Sequence, residues 1–533
     1  MANLCQISGM GNFSFIMNIR KLWNANCRMF VMDCSQKQCE KGLGPNNSTV
    51  NAQHTRGRSR SNQPLFTDTE LLGSNSCAYG QHKPKHYVSL CNETYYDDEE
   101  VWACRKKNGV LLDPPDIDIE YLCEPSNLEE IERNIIARKG IGNITLLQQL
   151  YEEIQQLGEK MVKSLMTQDS RESTEKRMNE LTEKFNKEAL VIPNRTHPDV
   201  VLSEDAMPRI VETCGVKPTF AFQPKTLEQL AKDLDGLRMD NLGNLTGPRT
   251  YYLKNSFAEM ESALTRFTVD HLKSKGYVLM SVPDLLHPQV IDACGMPVTG
   301  DRSQVYHIDK NRHGRDLALS GTAEMALAGY HANRSFPLYS LPRQLQAVSR
   351  CFRAEVSHSL NEKGLYRVHQ FTKVEMFGVT AAEAGDESEK LLDEMLSIQK
   401  QLYKTLGLHF VVLDMPSHEL GAAAYRKYDI EAWMPGRGCF GEVSSTSNCT
   451  DYQSRRLHVR YSVPSGEQVY VHTVNGTACA VPRMLIAIIE TYQQEDGSVR
   501  IPEALQSYMR GQTVMAKPAK RVDMRWLKYR SQH

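Results

Sequence analysis

The sequence lacks several things that would fix its class at once. Its fourteen cysteines include no Cys-x-x-Cys pair, which argues against a structural zinc site. It has no net charge to speak of: 63 Lys and Arg stand against 64 Asp and Glu, which excludes a globally basic nucleic-acid binder while leaving room for a local basic surface. No apolar run approaches the ~18 residues that a membrane-spanning helix needs. There is no Walker A loop, no GxGxxG and no HExxH, so nucleotide binding would have to use another device. What remains is an ordinary soluble composition, 41% hydrophobic and 24% charged, in a chain of 533 residues. At ~100–200 residues per domain this predicts two to four domains.

The chain divides by texture. Residues 1–110 are rich in Asn, Ser, Gln, Gly and Cys and show no sustained periodicity. The first 60 carry a basic excess, no acid precedes Asp33, and Arg20, Lys21 and Arg28 sit among Ile16, Ile19, Leu22, Trp23 and Phe30. Such a start resembles a mitochondrial transit region, with a disordered leader as the alternative. The cysteines further on stand singly in apolar or mixed contexts and are expected to be buried reduced thiols.

Helical signals begin near Ile117, with a short helix expected over 117–139. Leu147, Leu150, Ile154, Leu157 and Met161 alternate spacings of three and four, a coiled-coil seam. Thr167–Ser173 reads as a polar turn, and a second stripe of Met178, Leu181 and Phe185 runs to Pro193. The expectation is an antiparallel helical hairpin within residues 111–195; an ordinary helical pair packed on the body is the alternative. Residues 196–515 mix helices with short apolar strands: Phe257–Lys275 and Ala480–Thr491 as helices, and Tyr277–Val282, Arg350–Phe352, Lys373–Val379, Phe440–Ser445, Leu457–Ser462 and Tyr470–Val474 as strands. Hairpin-like joins argue an α+β antiparallel sheet. Residues 516–533 form a basic tail.

The residues able to carry chemistry cluster in Arg353–Glu375. Arg353, Glu355, Arg367, Phe371 and Glu375 lie between apolar strands, where charge is costly unless partnered. A guanidinium on a strand suits a phosphate or carboxylate, and Phe371 beside it suits a base; salt bridges on a solvated hairpin are the plainer alternative. Thr322, Ala323 and Glu324 follow a glycine turn. Glu442-Val443-Ser444-Ser445 reads by alternation as Glu442 and Ser444 on one face and Ser445 on the other. Arg483, at the start of an apolar helix, opposes the helix dipole and is expected to hold an anion; a surface position is the alternative.

In this order the segments resemble the three signature motifs of class II aminoacyl-tRNA synthetases, and among them the seryl enzymes. The first is the helix and strand ending at Pro283, the second runs from Cys351 to Glu375, and the third covers Gly476–Glu490 with Arg483. The strings GTAE (321–324), GLYRVHQFTKVEMF (364–377) and SNCTDYQSRRL (447–457) carry the serine-type resemblance. AYRKYDIEAWMPGRGCFGEVSS (424–445) and VHTVNGTACAVPR (471–483) resemble the animal mitochondrial branch.

The resemblance implies a six-stranded antiparallel sheet flanked by helices, a homodimer through the first motif, and a preceding helical arm that binds tRNA(Ser). It implies serine–tRNA ligase activity in the mitochondrial matrix, with tRNA(Sec) as a further acceptor, and no membrane partner. Arg353, Glu355 and Arg483 would be catalytic. Arg353, Ala354, Glu355, Arg367, Phe371, Glu442, Val443, Ser444, Ser445 and Arg483 would bind ATP, and Glu442 and Ser445 would hold Mg²⁺. Thr322, Ala323, Glu324, Glu375, Asn475 and Thr477 would bind L-serine. Three features depart from the family: arm helices of only about 20 residues, a leader over residues 1 to about 110 that is longer than a usual transit peptide, and Pro482 where bacterial members usually have Gly. A silent paralogue that binds RNA is the competing expectation. Another class II ligase is a third, which the serine-type strings disfavour.

Overall fold

The computed structural model describes residues 114–518 together with 112, apart from 164–167, 204, 240–244, 301–302 and 356–363. The expected leader and most of the basic tail lie outside the described residues.

The described chain opens with helices. The single helix expected over 117–139 is broken into Ile119–Cys123, a 3₁₀ turn at Pro125–Asn127 and α1, Leu128–Ala137. Pro125 explains the break, since it lacks the amide a continuing helix would use. Two longer helices follow, α2 (Ile144–Lys163) and α3 (Gln168–Val191). The turn expected over Thr167–Ser173 is corrected here: residues from Gln168 onward are already helical. Leu147, Leu150 and Ile154 of α2 and Leu181 and Phe185 of α3 are buried, and Arg177 of α3 pairs with Glu153 of α2 at 3.0 Å.

The centre is one sheet of eight strands: β1 (Arg209–Cys214), β2 (Val278–Met280), β3 (Arg343–Phe352), β4 (Gln370–Thr380), β5 (Phe410–Asp414), β6 (Arg426–Met434), β7 (Cys439–Thr450) and β8 (His472–Ala480). Their order is β1-β5-β6-β7-β8-β4-β3-β2, and every pair is antiparallel except β2 with β3. The expected count of six is therefore corrected to eight. Strand β1 has an exposed, polar-mixed pattern that carries no apolar alternation to read. The strand expected at Leu457–Ser462 is also revised. Leu457 ends a short helix that His458 closes in the left-handed conformation, and only Arg460–Ser462 is strand.

Helices α4 (Asn255–Ser274), α7 (Glu387–Thr405) and α9 (Val481–Thr491) cover one sheet face, burying Met260, Leu264, Leu391, Met395, Leu485 and Ile488 against Val374, Met376, Ile430 and Val474. Helix α9 is apolar on almost every side because it is enclosed on almost every side. Pro482 sits in its first turn, where a missing amide costs nothing. The other face is covered at one end by α5 (Pro288–Ala293), α6 (Ala323–Tyr330) and α8 (Tyr452–Leu457), packed on Leu345, Ala347, Phe377 and Val379. No helix among the described residues is long and apolar enough to cross a membrane. The seven described cysteines are free thiols, six of them buried.

Candidate active site

The site lies on the sheet face opposite the three long helices. Alternation along β4 brings Phe371, Lys373 and Glu375 to this face, in line with Phe377 of the second core. In β8 the register shifts by one residue between its pairs with Val374 and Glu375, which sets Thr477 directly across from Glu375. The outcome is a compact polar cluster. Glu375 Oε2 accepts from Thr322 Oγ1 at 3.2 Å and Thr477 Oγ1 at 3.3 Å, and the buried Lys373 ammonium rests against the same oxygen. Lys373 also donates to Thr477 Oγ1 at 3.2 Å.

Glu324 forms the neighbouring wall. Thr322 caps α6, with its hydroxyl facing the Glu324 amide at 3.4 Å, and this presents the Glu324 carboxylate at the helix start. Its Oε1 accepts from Gln453 Nε2 at 2.7 Å and Asn475 Nδ2 at 2.9 Å. Burial, reinforced by the charge of Glu375, pushes its carboxyl up to about 7. Ala323 is buried in the first turn of the same helix.

A second bulge decides the other half of the site. Ile430 of β6 faces Ser444 of β7, and Glu431 faces Glu442, so Val443 is the extra residue. Directly opposed residues share a face, so Glu442 and Ser445 lie together on the open face, opposite Glu431 and Asp429. Val443 and Ser444 turn to the helix-covered side: Val443 joins that core and Ser444 Oγ donates to the Thr477 carbonyl at 2.6 Å. Simple alternation had paired Glu442 with Ser444; the bulge reverses this.

Arg483, from the first turn of α9, reaches Glu442 Oε2 at 3.0 Å and Glu442 O at 3.1 Å, and lies 4.5 Å from the centre of the Tyr366 ring. Burial acts to raise the Glu442 carboxyl, but Arg483, with Lys427 and Arg353, outweighs it and holds it down at about 2. Tyr366 completes the junction, its hydroxyl accepting from the Glu442 amide at 2.9 Å. Nearby Asp429 pairs with Lys427 at 2.8 Å yet is pushed up to about 7 by burial, with the charge of Glu442 adding to it.

Between the two halves stands Arg353. Its Nε approaches the Gly321 carbonyl at 3.4 Å, its guanidinium lies 5.5 Å from the centre of the Phe371 ring, and its charge acts on both Glu324 and Glu442. Ala354 is fixed by a hydrogen bond that its backbone amide donates to the Gln304 carbonyl at 2.9 Å. Glu355 is buried and faces Arg367 at 3.6 Å. Arg353, beside the Phe371 ring, thus stands between the cluster of Glu324, Glu375, Lys373, Thr322 and Thr477 and the Arg483–Glu442 pair, while Arg367 pairs with Glu355.

The sequence singled out most of this set. It missed Lys373, Gln453, Tyr366, Asp429 and Lys427. Lys373 carried a usable signal, because a lysine two residues from Glu375 in a buried strand must share its face. Gln453 lies in the serine-type string at 447–457 but no role could be given to it, since only the fold brings α8 to Glu324. Among the described residues no three His, Cys, Asp or Glu side chains converge as a metal cluster. A cation at Glu442 and Ser445 would therefore rely on ligand oxygens as well, the usual pattern for Mg²⁺.

Residues 306–492 match the family model described as the tRNA synthetase class II core domain (G, H, P, S and T). The mitochondrial serine–tRNA ligase of Bos taurus is 50% identical over 330 residues, which are 62% of this chain and 63% of that protein. The serine–tRNA ligase of Rubrobacter xylanophilus is 42% identical over 349 residues, 65% of this chain and 80% of the relative. The crystal structure of seryl-tRNA synthetase from Pyrococcus horikoshii complexed with ATP superposes with a TM-score of 0.67 at 30% identity, over 75% of this chain and all of that one. The chain thus aligns with less than two thirds of the length of its mammalian mitochondrial relatives.

Proposed function

The chain belongs to the serine–tRNA ligase family, and from that premise we propose that it activates L-serine with ATP and transfers the seryl group to the 3′ end of tRNA(Ser). The observation that carries this reading is the Thr477–Glu375–Lys373–Glu324 cluster on one side of Arg353 and the Arg483–Glu442 pair acted on by the same arginine on the other. The cluster suits a small zwitterion with a hydroxyl; the arginines suit a triphosphate.

In this account Glu324 and Glu375, with Thr322, take the serine ammonium, and Asn475 and Thr477 read its hydroxyl. Arg353 bridges the serine carboxylate and the α-phosphate. Phe371 stacks on adenine, while Glu355, Arg367 and Arg483 orient the rest of the nucleotide. Glu442 and Ser445 would hold Mg²⁺, which supplies charge neutralisation at the phosphates when bound. The serine carboxylate then displaces pyrophosphate from the α-phosphorus, and a ribose hydroxyl of the tRNA displaces AMP from the adenylate. No protein nucleophile is required, because orientation and neutralisation carry the step.

The helices α2 and α3 would be the tRNA-binding arm, α4 and β2 the homodimer contact, and the mitochondrion the site of action, as the mammalian relatives suggest. The test measures serine-dependent ATP–pyrophosphate exchange and tRNA(Ser) charging side by side. Exchange with charging supports the whole reading. Exchange without charging withdraws the tRNA half, and absence of both favours a silent paralogue.

A further inference from the structure

The base of the α2–α3 helical pair is tied to the proposed serine pocket by a continuous set of hydrogen bonds, and one residue is its junction. Asn194 follows α3 directly after Pro193. Its Nδ2 lies 2.8 Å from Ala423 O, 2.9 Å from Cys449 O and 3.0 Å from Thr450 Oγ1, and its backbone amide donates to Ala422 O at 2.9 Å. On its other side, Asn194 O accepts from Asn134 Nδ2 at 3.0 Å and Arg138 Nη1 at 2.9 Å, both from the α1 region. Arg138 is buried and its guanidinium bonds mainly to backbone carbonyls, including Ala424 O at 2.9 Å.

The far end of this junction is strained. Thr450 has a φ of +44°, a conformation costly for a β-branched residue unless its surroundings impose it. The β7–β8 register slips here as well, leaving Cys449 outside the ladder. From this turn two groups enter the pocket. Cys449 Sγ lies 3.4 Å from Asn475 Nδ2, which itself donates to Glu324. Gln453, one helical turn on, donates to Glu324 and accepts from Thr473 Oγ1 at 2.8 Å. The loop around Ala423 has no slack: Gly295 packs so closely that a Cβ there would meet the Ala423 Cβ at 2.9 Å.

We propose that Asn194 is a positioning residue for the amino-acid pocket, holding the Thr450 turn in the conformation that aims Asn475 and Gln453 at Glu324. The inference rests on the serine reading above. The geometry gives it a direction: loss of the Asn194 amide donor relaxes the turn and loosens the serine half of the site. The nucleotide half, built on Phe371 of β4, the Glu442–Ser445 end of β7 and Arg483 of α9, takes none of these Asn194 hydrogen bonds, which reach β7 only at its Cys449–Thr450 end, and keeps its geometry.

The test uses the full-length protein and Asn194→Asp, which preserves shape and removes the donor. In ATP–pyrophosphate exchange, KM for serine is expected to rise at least fivefold, with KM for ATP and kcat within twofold of the parent. Thr450→Val, which removes the acceptor from the opposite side, is expected to move KM for serine in the same direction by two- to threefold, and keeps the question open to test should the first variant not fold. An unchanged KM for serine in a folded variant overturns the proposal. So does a joint rise in both KM values with loss of kcat, which marks general damage. Absence of serine-dependent exchange in the parent protein overturns the serine reading itself, and the positioning role with it.

Discussion

Arg483 Nη1 lies 3.0 Å from Glu442 Oε2, joining the first turn of α9 to the bulged segment of β7. A guanidinium at a helix start works against the helix dipole, so its place there needs an anion. In this structure the anion is Glu442, held ionised at about 2 by the arginine. On the proposed reading, Glu442 would turn to a cation and Arg483 to a phosphate when the nucleotide binds.

Glu442→Gln tests the cation side. The amide retains the shape and loses the charge. Exchange activity is expected to fall at least 100-fold at low Mg²⁺ and to recover in part as Mg²⁺ is raised, read from Mg²⁺ titrations of the rate. An unchanged Mg²⁺ dependence would contradict the role.

Glu324 sets a pH dependence. Its carboxyl is raised to about 7 in the fold, so between the ordinary carboxylate range and pH 7 the folded state holds a proton that the unfolded state has released. Stability therefore declines as pH rises through that window and levels off above it. Serine affinity moves the opposite way, because an ammonium prefers the ionised carboxylate: KM for serine is expected to fall from pH 6 to pH 8. Glu324→Gln should flatten that trend and gain on the order of 1–3 kcal/mol relative to the parent at pH 8 over pH 5, read by denaturant unfolding at both values. Parallel pH profiles for parent and variant would contradict the assignment.

Thr477 offers the specificity test. A site that hydrogen-bonds a hydroxyl rejects the analogue lacking it because its own polar groups are left unpaired, by up to ~10⁴–10⁵. Thr477→Ala is expected to lower kcat/KM for serine by 10- to 100-fold while changing that for alanine much less, measured by exchange with each amino acid. Unchanged discrimination would remove Thr477 from the reading.

Glu490 carries a stability prediction away from the chemistry. Fully buried in α9, it accepts from the amides of Leu227, Gly436 and Arg437 at 3.0, 2.8 and 3.1 Å. Glu490→Ala strands all three donors and is expected to cost about 2–5 kcal/mol in denaturant unfolding. A loss below 0.5 kcal/mol would show that water replaces the carboxylate.

Much of this site was legible because its residues sit in contiguous strings. Phe371 and Glu375 stood out within the charged segment Arg353–Glu375 between apolar strands, and the misfit of Arg483 with its helix dipole pointed to an anion before any fold was known. The errors share a cause in tertiary register. Nothing local in Glu442-Val443-Ser444-Ser445 announces a bulge; β6 imposes it by pairing Ile430 with Ser444 and Glu431 with Glu442. The start of α3 was read as a turn because Gln168–Ser173 is polar, whereas the helix is held by Leu181 and Phe185 further on. Strand β1 was missed because its stability comes from pairing with β5, not from an apolar face of its own.

The central claim is that the pocket beside Arg353 selects serine for adenylation. Its most direct test is ATP–pyrophosphate exchange on the parent protein and Arg353→Ala, with each amino acid in turn. The account predicts exchange with serine far above any other amino acid, and its loss in an Arg353→Ala protein that remains folded. Exchange led by threonine or proline, or a near-normal serine rate without Arg353, would contradict it.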